Sequence, residues 1–339
     1  MKRMRTFVIA VLALVALAGQ GLAAADIGDS APALQIAKWV KGQPIALKDG
    51  LGKTVFVVEF WATWCPPCKT SIPHLTELQK QFADRGVVMV GVSDEPVDTV
   101  KPFVDENKKM DYRVVCDDGR KTTEAYMKPR TGIPHAFVVD KRGRVVWTGH
   151  PMYGLERAIE QALAGEFDKA KAVKKQELVD QIFAAFSGRG QGAEQAIEAL
   201  IAQDPKDPDS YRLKLMFLDG TGKSADAAKL RDVMAKTFPK DVRILNEAAS
   251  YFATVDDLAL RAPDRALELA RQAVAATQEK DASALVALAT AWYALCDIDK
   301  AIDAAQKALA VADDADKPEV QTALAFFQKV KKAAAATRP

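Results

Sequence analysis

Two cysteines separated by two prolines, Cys65 and Cys68 in the segment FWATWCPPCKT (60–70), are the residues of this chain best suited to chemistry. Such a pair can bind a metal ion, form a structural disulfide or exchange electrons with other thiols. A structural zinc site needs further ligands, but Cys116 and Cys296 stand alone, and the histidines are scattered (His74, His135 and His150). A disulfide across a two-residue gap closes a very small loop and adds little entropic stabilisation. The sequence therefore indicates no metal site and no cofactor.

Thiol exchange fits the surroundings of the pair better. The β-branched run TVFVVEF (54–60) predicts a strand that leads directly into the cysteines, and CPPCKTSIPHLTELQKQF has apolar residues at helical spacing. Proline is tolerated in a first helical turn because its missing N–H would be unpaired there anyway. Cys65 would then lie where the helix dipole and free N–H groups stabilise a thiolate.

The elements that position this pair belong to an α/β region that extends to about residue 165. Further strands are predicted at GVVMVGVS (86–93), HAFVVD (135–140) and RVVWTG (144–149), and helical patterns separate the earlier ones. The last two strands are joined by KRG, which predicts a hairpin with Gly143 at positive φ. Strands that alternate with helices indicate a βαβ arrangement with a partly parallel sheet.

The first part of the chain resembles the thioredoxin superfamily, specifically the TlpA/ResA-like exported thiol–disulfide oxidoreductases. The matching residues are Val58 to Lys69, which include WATWCPPCK, then Thr131-Gly132-Ile133-Pro134, and then the strand pair that ends at Gly149. The resemblance covers residues 28–165. It implies a thioredoxin-like domain with a mixed sheet flanked by helices.

The resemblance also implies catalytic roles. Cys65 would be the exposed, attacking thiol, and Cys68 the resolving thiol, so that the two form a redox-active disulfide. Glu59 stands six residues before Cys65, where thioredoxins carry a buried acid, usually aspartate. A desolvated carboxyl group there would have a raised pKa and could relay the proton of Cys68, whereas an edge-facing, solvated Glu59 is the alternative.

A substrate-binding surface is implied around the cysteines. Pro134 would be a cis-proline that faces the disulfide, and Ile133 would offer backbone groups to an extended substrate. Trp64 would form an apolar rim, and Trp61 is expected in the core. The predicted substrate-binding residues are Trp64, Pro66, Pro67 and Ile133.

Peroxidase activity is an alternative within the same fold, because IGDSAPALQI resembles the start of peroxiredoxins. Those enzymes carry a threonine three residues before the reactive cysteine. Here Ala62 has that position and Thr63 comes one residue too late, although Arg130 lies near the place of a peroxiredoxin arginine. Such a site would be incomplete.

The two remaining cysteines have simpler interpretations. Cys116 follows a predicted short strand, and it is interpreted as a small buried residue, with a third redox thiol as the alternative. Cys296, in ATAWYALCDI, is expected to pack on a helical apolar face.

After residue 165 the pattern is Ala-rich and helical. Pro205-Lys206-Asp207 and Pro239-Lys240-Asp241 lie 34 residues apart, which is the tetratricopeptide period. A third unit around Trp292 is offset from the second by 40 residues, with an insertion near 256–262. Residues 170–204 resemble a degenerate first unit, and residues 317–336 resemble a capping helix. The prediction is an all-α, tetratricopeptide-like solenoid over 166–339, of a kind that usually docks a protein partner.

The N-terminus has the layout of a cleaved secretory signal peptide over residues 1–25, and an uncleaved membrane anchor is the alternative. A basic start (MKRMRT) is followed by a twelve-residue apolar run, with Ala23 and Ala25 before Asp26. Cleavage removes three cations and changes the formal charge from +2 to −1, which leaves no indication of nucleic-acid binding.

The combined prediction is a periplasmic thiol–disulfide oxidoreductase with its redox domain over 26–165. It would be a reductant of exported protein disulfides that a membrane electron donor recharges. A non-enzymatic scaffold, in which a vestigial thioredoxin-like domain supports the repeats, is the alternative from another class.

Overall fold

The computed structural model describes residues 25–314 and 316–336, arranged as two compact units. The first unit ends at Gln176 and the second begins at Glu177. The predicted boundary at residue 165 lies in the short connection after helix α4 (Leu155–Ala164). The predicted signal peptide, apart from Ala25, lies outside the described residues.

The first unit is built on a six-stranded mixed sheet in the order β1-β4-β3-β2-β5-β6. Strands β4, β3 and β2 are parallel, and the remaining pairings are antiparallel. The strands are β1 (Ile36–Lys41), β2 (Val55–Phe60), β3 (Val87–Ser93), β4 (Arg113–Asp117), β5 (His135–Val139) and β6 (Val145–Gly149). This mixed sheet with its flanking helices confirms the predicted thioredoxin-like α/β class.

Strand β2 is the centre of this sheet, and all six of its residues are buried. Its alternate residues enter two separate cores, as the two-residue repeat of a strand requires. Val55, Val57 and Trp61 pack with helix α1 (Pro66–Phe82), whereas Val58 and Phe60 pack on the opposite face. The other helices of this unit are α2 (Val97–Glu106), α3 (Lys121–Met127) and α4.

Two features of the first unit differ from the sequence-based expectations. Strand β1 was not among the predicted strands, because IAKWVK is a half-exposed edge strand with lysines between its apolar residues. Cys116 lies inside β4 rather than after it. The predicted hairpin forms, with Gly143 at a φ of 76° between β5 and β6.

The second unit consists of successive packed helices, which fits a tetratricopeptide-like repeat domain. Helices α7, α9 and α11 begin 34 and 40 residues apart, which matches the spacing of the sequence repeats. The helices are α5 (Lys169–Phe186), α6 (Ala193–Gln203), α7 (Pro208–Gly220), α8 (Ser224–Thr237), α9 (Val242–Thr254), α10 (Pro263–Ala276), α11 (Ala282–Ala294), α12 (Ile298–Val311) and α13 (Lys317–Ala336). Helix α5 spans the boundary between the units.

The 40-residue offset has its origin in the loop between α9 and α10. Residues 255–262 form that loop, whereas residues 221–223 suffice between α7 and α8. Leu258 in the longer loop is 75% exposed. The insertion is therefore a surface loop that leaves the helix pairing intact.

The prediction for Cys296 is wrong. This residue lies beyond the end of α11, is exposed and has a φ of 62°. It occupies the tight turn into α12, which begins at Ile298, so its side chain cannot belong to the apolar face of either helix.

No helix in the two described stretches, 25–314 and 316–336, is both long and apolar enough to cross a membrane.

Small alanine side chains on α12 allow its backbone to pack closely against the neighbouring helices. Enlarging one of them should therefore lower the stability of the fold. Ala305 is 0% exposed, whereas Ala310 on the same helix is exposed. We expect Ala305→Leu to lower the free energy of unfolding by about 1–3 kcal/mol, because three extra heavy atoms overpack the contact. Urea denaturation measures this loss. Ala310→Leu is the matched control and should stay within about 0.5 kcal/mol of the parent; equal losses for both variants would contradict the assigned packing.

Candidate functional site

The cysteine pair lies where β2 passes into α1. Cys65 is the N-cap residue of α1, and Pro66 and Pro67 occupy its first two positions. The Cys65–Cys68 disulfide is formed, with a Cα–Cα distance of 5.3 Å, and the Cys68 backbone N–H donates to Cys65 Sγ at 3.2 Å. The first sulfur is thus held at the positive end of the helix dipole, which favours a thiolate there after reduction.

Both sulfur-bearing residues are buried in this disulfide state. Cys65 is only 2% exposed and Cys68 is 0% exposed, so the expectation that Cys65 is exposed is wrong for the oxidised protein. The carbonyl oxygen of Ile133 lies 3.8 Å from Cys65 Sγ, which shows that the loop before β5 covers the first cysteine. Sequence spacing could not show this coverage, because the two segments are far apart in the chain.

Part of the protein surface next to the disulfide is exposed to solvent. The Ile133–Pro134 peptide is cis, as the resemblance implied, with Ile133 half-buried and Pro134 buried. Trp64 is 67% exposed, and Pro66 and Pro67 are exposed as well. The structure therefore brings the predicted substrate-binding residues and the disulfide into one region.

Glu59 lies inside the sheet. Its side chain is 1% exposed, and neither carboxylate oxygen has a hydrogen-bond partner among the described residues. It has the same parity along β2 as Val57 and Trp61, which face the core shared with Cys68. Burial raises the pKa of the Glu59 carboxyl to about 8, since the charged form loses its hydration. This geometry rules out the edge-facing alternative.

A second acid near the pair, Glu95, was missed by the sequence analysis. Its carboxylate accepts hydrogen bonds from the Thr63 N–H at 2.6 Å and the Thr63 hydroxyl at 2.8 Å. The Ser93 hydroxyl also donates to it, at 3.1 Å. Glu95 therefore fixes the segment just before Cys65. Its position after the carboxyl end of a parallel strand, where such sheets carry their sites, was the available signal.

Cys116 is a buried free thiol on β4, opposite Ser93 of β3. Burial raises the pKa of the Cys116 thiol, and the charge of Glu95 raises it further. A thiol held protonated is a poor nucleophile, which agrees with the interpretation of Cys116 as a small buried residue.

The residues considered for a peroxidase are engaged elsewhere. Ala62 is buried, and the Thr63 hydroxyl donates to Glu95. Arg130 is ion-paired with Asp26 and also donates to the Ala25 carbonyl oxygen. These contacts do not assemble a peroxide site beside Cys65.

Comparison with known proteins matches the first unit. Residues 27–148 match the model of the AhpC/TSA family. The chain is 35% identical over 123 residues to the thiol-disulfide oxidoreductase ResA of Bacillus thuringiensis (strain Al Hakam), a match that covers 36% of this chain and 68% of the relative. It is 36% identical over 107 residues to ResA of Bacillus subtilis (strain 168), covering 31% of this chain and 57% of that protein.

A solved structure was matched as well. The thiol:disulfide interchange protein of the thioredoxin family from Chlorobium tepidum TLS is 30% identical, with a TM-score of 0.35, and the match covers 41% of this chain and 99% of that chain.

The buried carboxyl of Glu59 gives a prediction about stability and pH. Its folded-state pKa of about 8 is above the ordinary value of 4.5, so the folded protein binds a proton more tightly than the unfolded chain. Stability should therefore fall as the pH rises from about 4.5 to 8. Because each pKa unit corresponds to about 1.4 kcal/mol, the total loss is a few kcal/mol.

Glu59→Gln tests this pH dependence because it keeps the shape and removes the titration. The variant should be more stable than the parent at pH 8, and the difference should shrink towards pH 4.5. Urea unfolding of the oxidised proteins at several pH values measures it. A stability difference that does not change with pH would show that Glu59 titrates normally.

Proposed function

The chain belongs to the family of ResA thiol-disulfide oxidoreductases within the thioredoxin superfamily, and on this basis we propose that it is an exported reductant of protein disulfides. The observation that carries the proposal is the Cys65–Cys68 disulfide at the N-terminus of α1, beside the cis-Pro134 loop. A helix N-terminus lowers a thiol pKa, and a second thiol one turn away can displace a bound partner.

The reaction proceeds through a mixed disulfide. In the reduced protein, the Cys65 thiolate attacks one sulfur of a substrate disulfide, and the other substrate sulfur leaves as a thiolate. The Cys68 thiolate then attacks Cys65 Sγ and releases the second substrate sulfur. Two electrons pass from the protein to the substrate, and the Cys65–Cys68 disulfide remains. A membrane-bound dithiol donor restores the reduced pair by the same exchange in reverse.

Glu59 moves the proton that this exchange needs at Cys68. In the disulfide state near pH 7 the carboxyl is largely protonated, since its pKa is about 8. When the donor reduces the disulfide, Glu59 protonates the departing Cys68 thiolate. The resulting carboxylate accepts the same proton when Cys68 attacks Cys65 in the next turnover.

The substrate binds as an extended segment against the exposed surface around the disulfide. Ile133 presents backbone groups there, and Trp64 with Pro66 and Pro67 presents apolar surface. Pairing of backbone groups tolerates many sequences, while the tryptophan ring adds buried apolar area. This arrangement suits an enzyme that acts on several protein disulfides.

The helical second unit supplies a docking surface for a protein partner. Stacked helix pairs create an extended binding surface, and the described part of this unit is such a succession. The basic and apolar N-terminal segment, which directs export in this proposal, places the enzyme in the periplasm.

The reduction potential of the Cys65–Cys68 pair tests the direction of electron flow. We expect a value near that of thioredoxin, about −270 mV, as required of a reductant in an oxidising compartment. Equilibration with glutathione or dithiothreitol buffers, followed by thiol alkylation, measures the potential. A value near −120 mV would make the protein an oxidant and overturn the reductant assignment.

Trapping of substrates tests the enzymatic role against the scaffold alternative. Cys68→Ser should accumulate Cys65-linked mixed disulfides with exported proteins, because the resolving thiol is gone. Non-reducing electrophoresis before and after dithiothreitol detects them. Cys65→Ser is the matched control and should trap nothing. An empty trap in both variants would favour a scaffold without redox activity.

A further inference from the structure

Three buried polar side chains meet on the α1 side of the sheet. Across the described residues, the Glu59 oxygens, Trp61 Nε1 and the Tyr112 hydroxyl are all buried and have no hydrogen-bond partner. Glu59 is 1% exposed, Trp61 2% and Tyr112 5%. Buried polar groups are nearly always paired, so three unpaired groups in one place call for a functional explanation.

Gly91 explains how the three groups come together. It is the β3 neighbour of Glu59, and Ala136 is the neighbour on β5, so both flanking residues are small. A Cβ atom on Gly91 would lie 3.0 Å from Tyr112 Cε2, 3.1 Å from Trp61 Nε1 and 3.3 Å from Glu59 Oε2. The three side chains therefore converge over one backbone position.

The chemical types of these groups fit the ionised carboxylate best. An indole N–H is a donor, and a phenol O–H can donate, whereas an ionised carboxylate accepts only. A neutral carboxyl group can remain unpaired at modest cost. A buried carboxylate needs charge-assisted hydrogen bonds, which are roughly twice as strong as neutral ones.

We propose that Tyr112 and Trp61 are positioning residues for Glu59, which donate hydrogen bonds to its carboxylate in the reduced protein, while Cys68 holds the shared proton. This inference rests on the proposed role of Glu59 in proton transfer. The two donors would limit the cost of ionising Glu59 inside the sheet, and thereby set the pH range in which Cys68 resolves the mixed disulfide. All three side chains already surround Gly91.

Among the described residues of this core, Tyr112 is a titratable group on which the charge of Glu59 acts, and the Cys116 thiol of β4 belongs to the same core. From the adjacent strands, β3 presents Gly91 and β5 presents Ala136. Helix α1 contributes Cys68 among apolar residues, and α2 contributes Phe103, whose ring centroid lies 5.4 Å from that of Trp61. Burial raises the pKa of the Tyr112 phenol well above its usual range, and the charge of Glu59 raises it further. Tyr112 thus stays protonated and able to donate.

The test is the pH profile of the resolution step. The reduced full-length protein is mixed with a small peptide disulfide in a stopped-flow instrument, and release of the second peptide thiol is followed from pH 6 to 10. Tyr112→Phe removes only the hydroxyl, so the fold should be retained. We expect the midpoint of this profile to rise by about one pH unit, since one hydrogen bond to a charged group is lost. Trp61→Phe should move it in the same direction.

Two controls make the outcome specific. Tyr126→Phe removes a hydroxyl from the opposite core, where it donates to the Pro32 carbonyl oxygen, and should leave the midpoint unchanged. Glu59→Gln should abolish the component that comes from titration of Glu59, and adding Tyr112→Phe to it should cause no further shift.

The possible failures are distinguishable. If Glu59→Gln removes the component but neither Tyr112→Phe nor Trp61→Phe moves the midpoint, the positioning role is wrong and the role of Glu59 stands. An equal shift from Tyr112→Phe with and without Glu59 also overturns the inference. If Glu59→Gln keeps the parental profile, the proposed proton transfer itself is wrong, and the inference fails with it.

Discussion

A carboxyl group enclosed in the middle of a sheet, with no hydrogen-bond partner among the described residues, constrains much of the first unit. Glu59 can stay there only in a neutral form or with donors at hand, because an isolated buried charge is far more costly than a neutral group. The small neighbours Gly91 and Ala136 provide the room that the longer glutamate side chain needs. Its place on the face shared with α1 puts this titration in the same core as Cys68.

The position of the disulfide also depends on a second carboxylate, Glu95, at the end of the same sheet. Glu95 binds both the backbone and the side chain of Thr63, two residues before Cys65, and Ser93 supports Glu95 in turn. The Glu95 carboxylate thus holds in place the segment between the end of β2 and Cys65, which lies at the N-terminus of α1. One acid lies buried inside the sheet, while the other fixes backbone geometry at its edge.

Much of this arrangement was predictable from local sequence. The apolar runs of the central strands, the prolines at the start of α1 and the position of Glu59 all carry short-range signals, and the structure contains each element. The contact of Glu95 with Thr63 and the approach of Tyr112 to Glu59 are not visible in local sequence, because each joins segments that are distant in the chain. The edge strand β1 was missed because its lysines break the apolar pattern. The burial of Cys65 was missed because a segment almost seventy residues later covers it.

The interior position of Glu59 also has an evolutionary consequence. Above neutral pH, the fold would gain stability from an amide or an apolar residue at that position. Selection for folding stability alone would therefore remove the acid. Ionisable groups that weaken the native state persist where activity requires them, so stability and activity conflict at such positions. Gly91 is subject to the same conflict, since a side chain that strengthened β3 would displace the groups gathered above it. Laboratory evolution for thermal tolerance would therefore be expected to exchange these two residues early, and to lose the proton transfer proposed for Glu59 before it loses the fold.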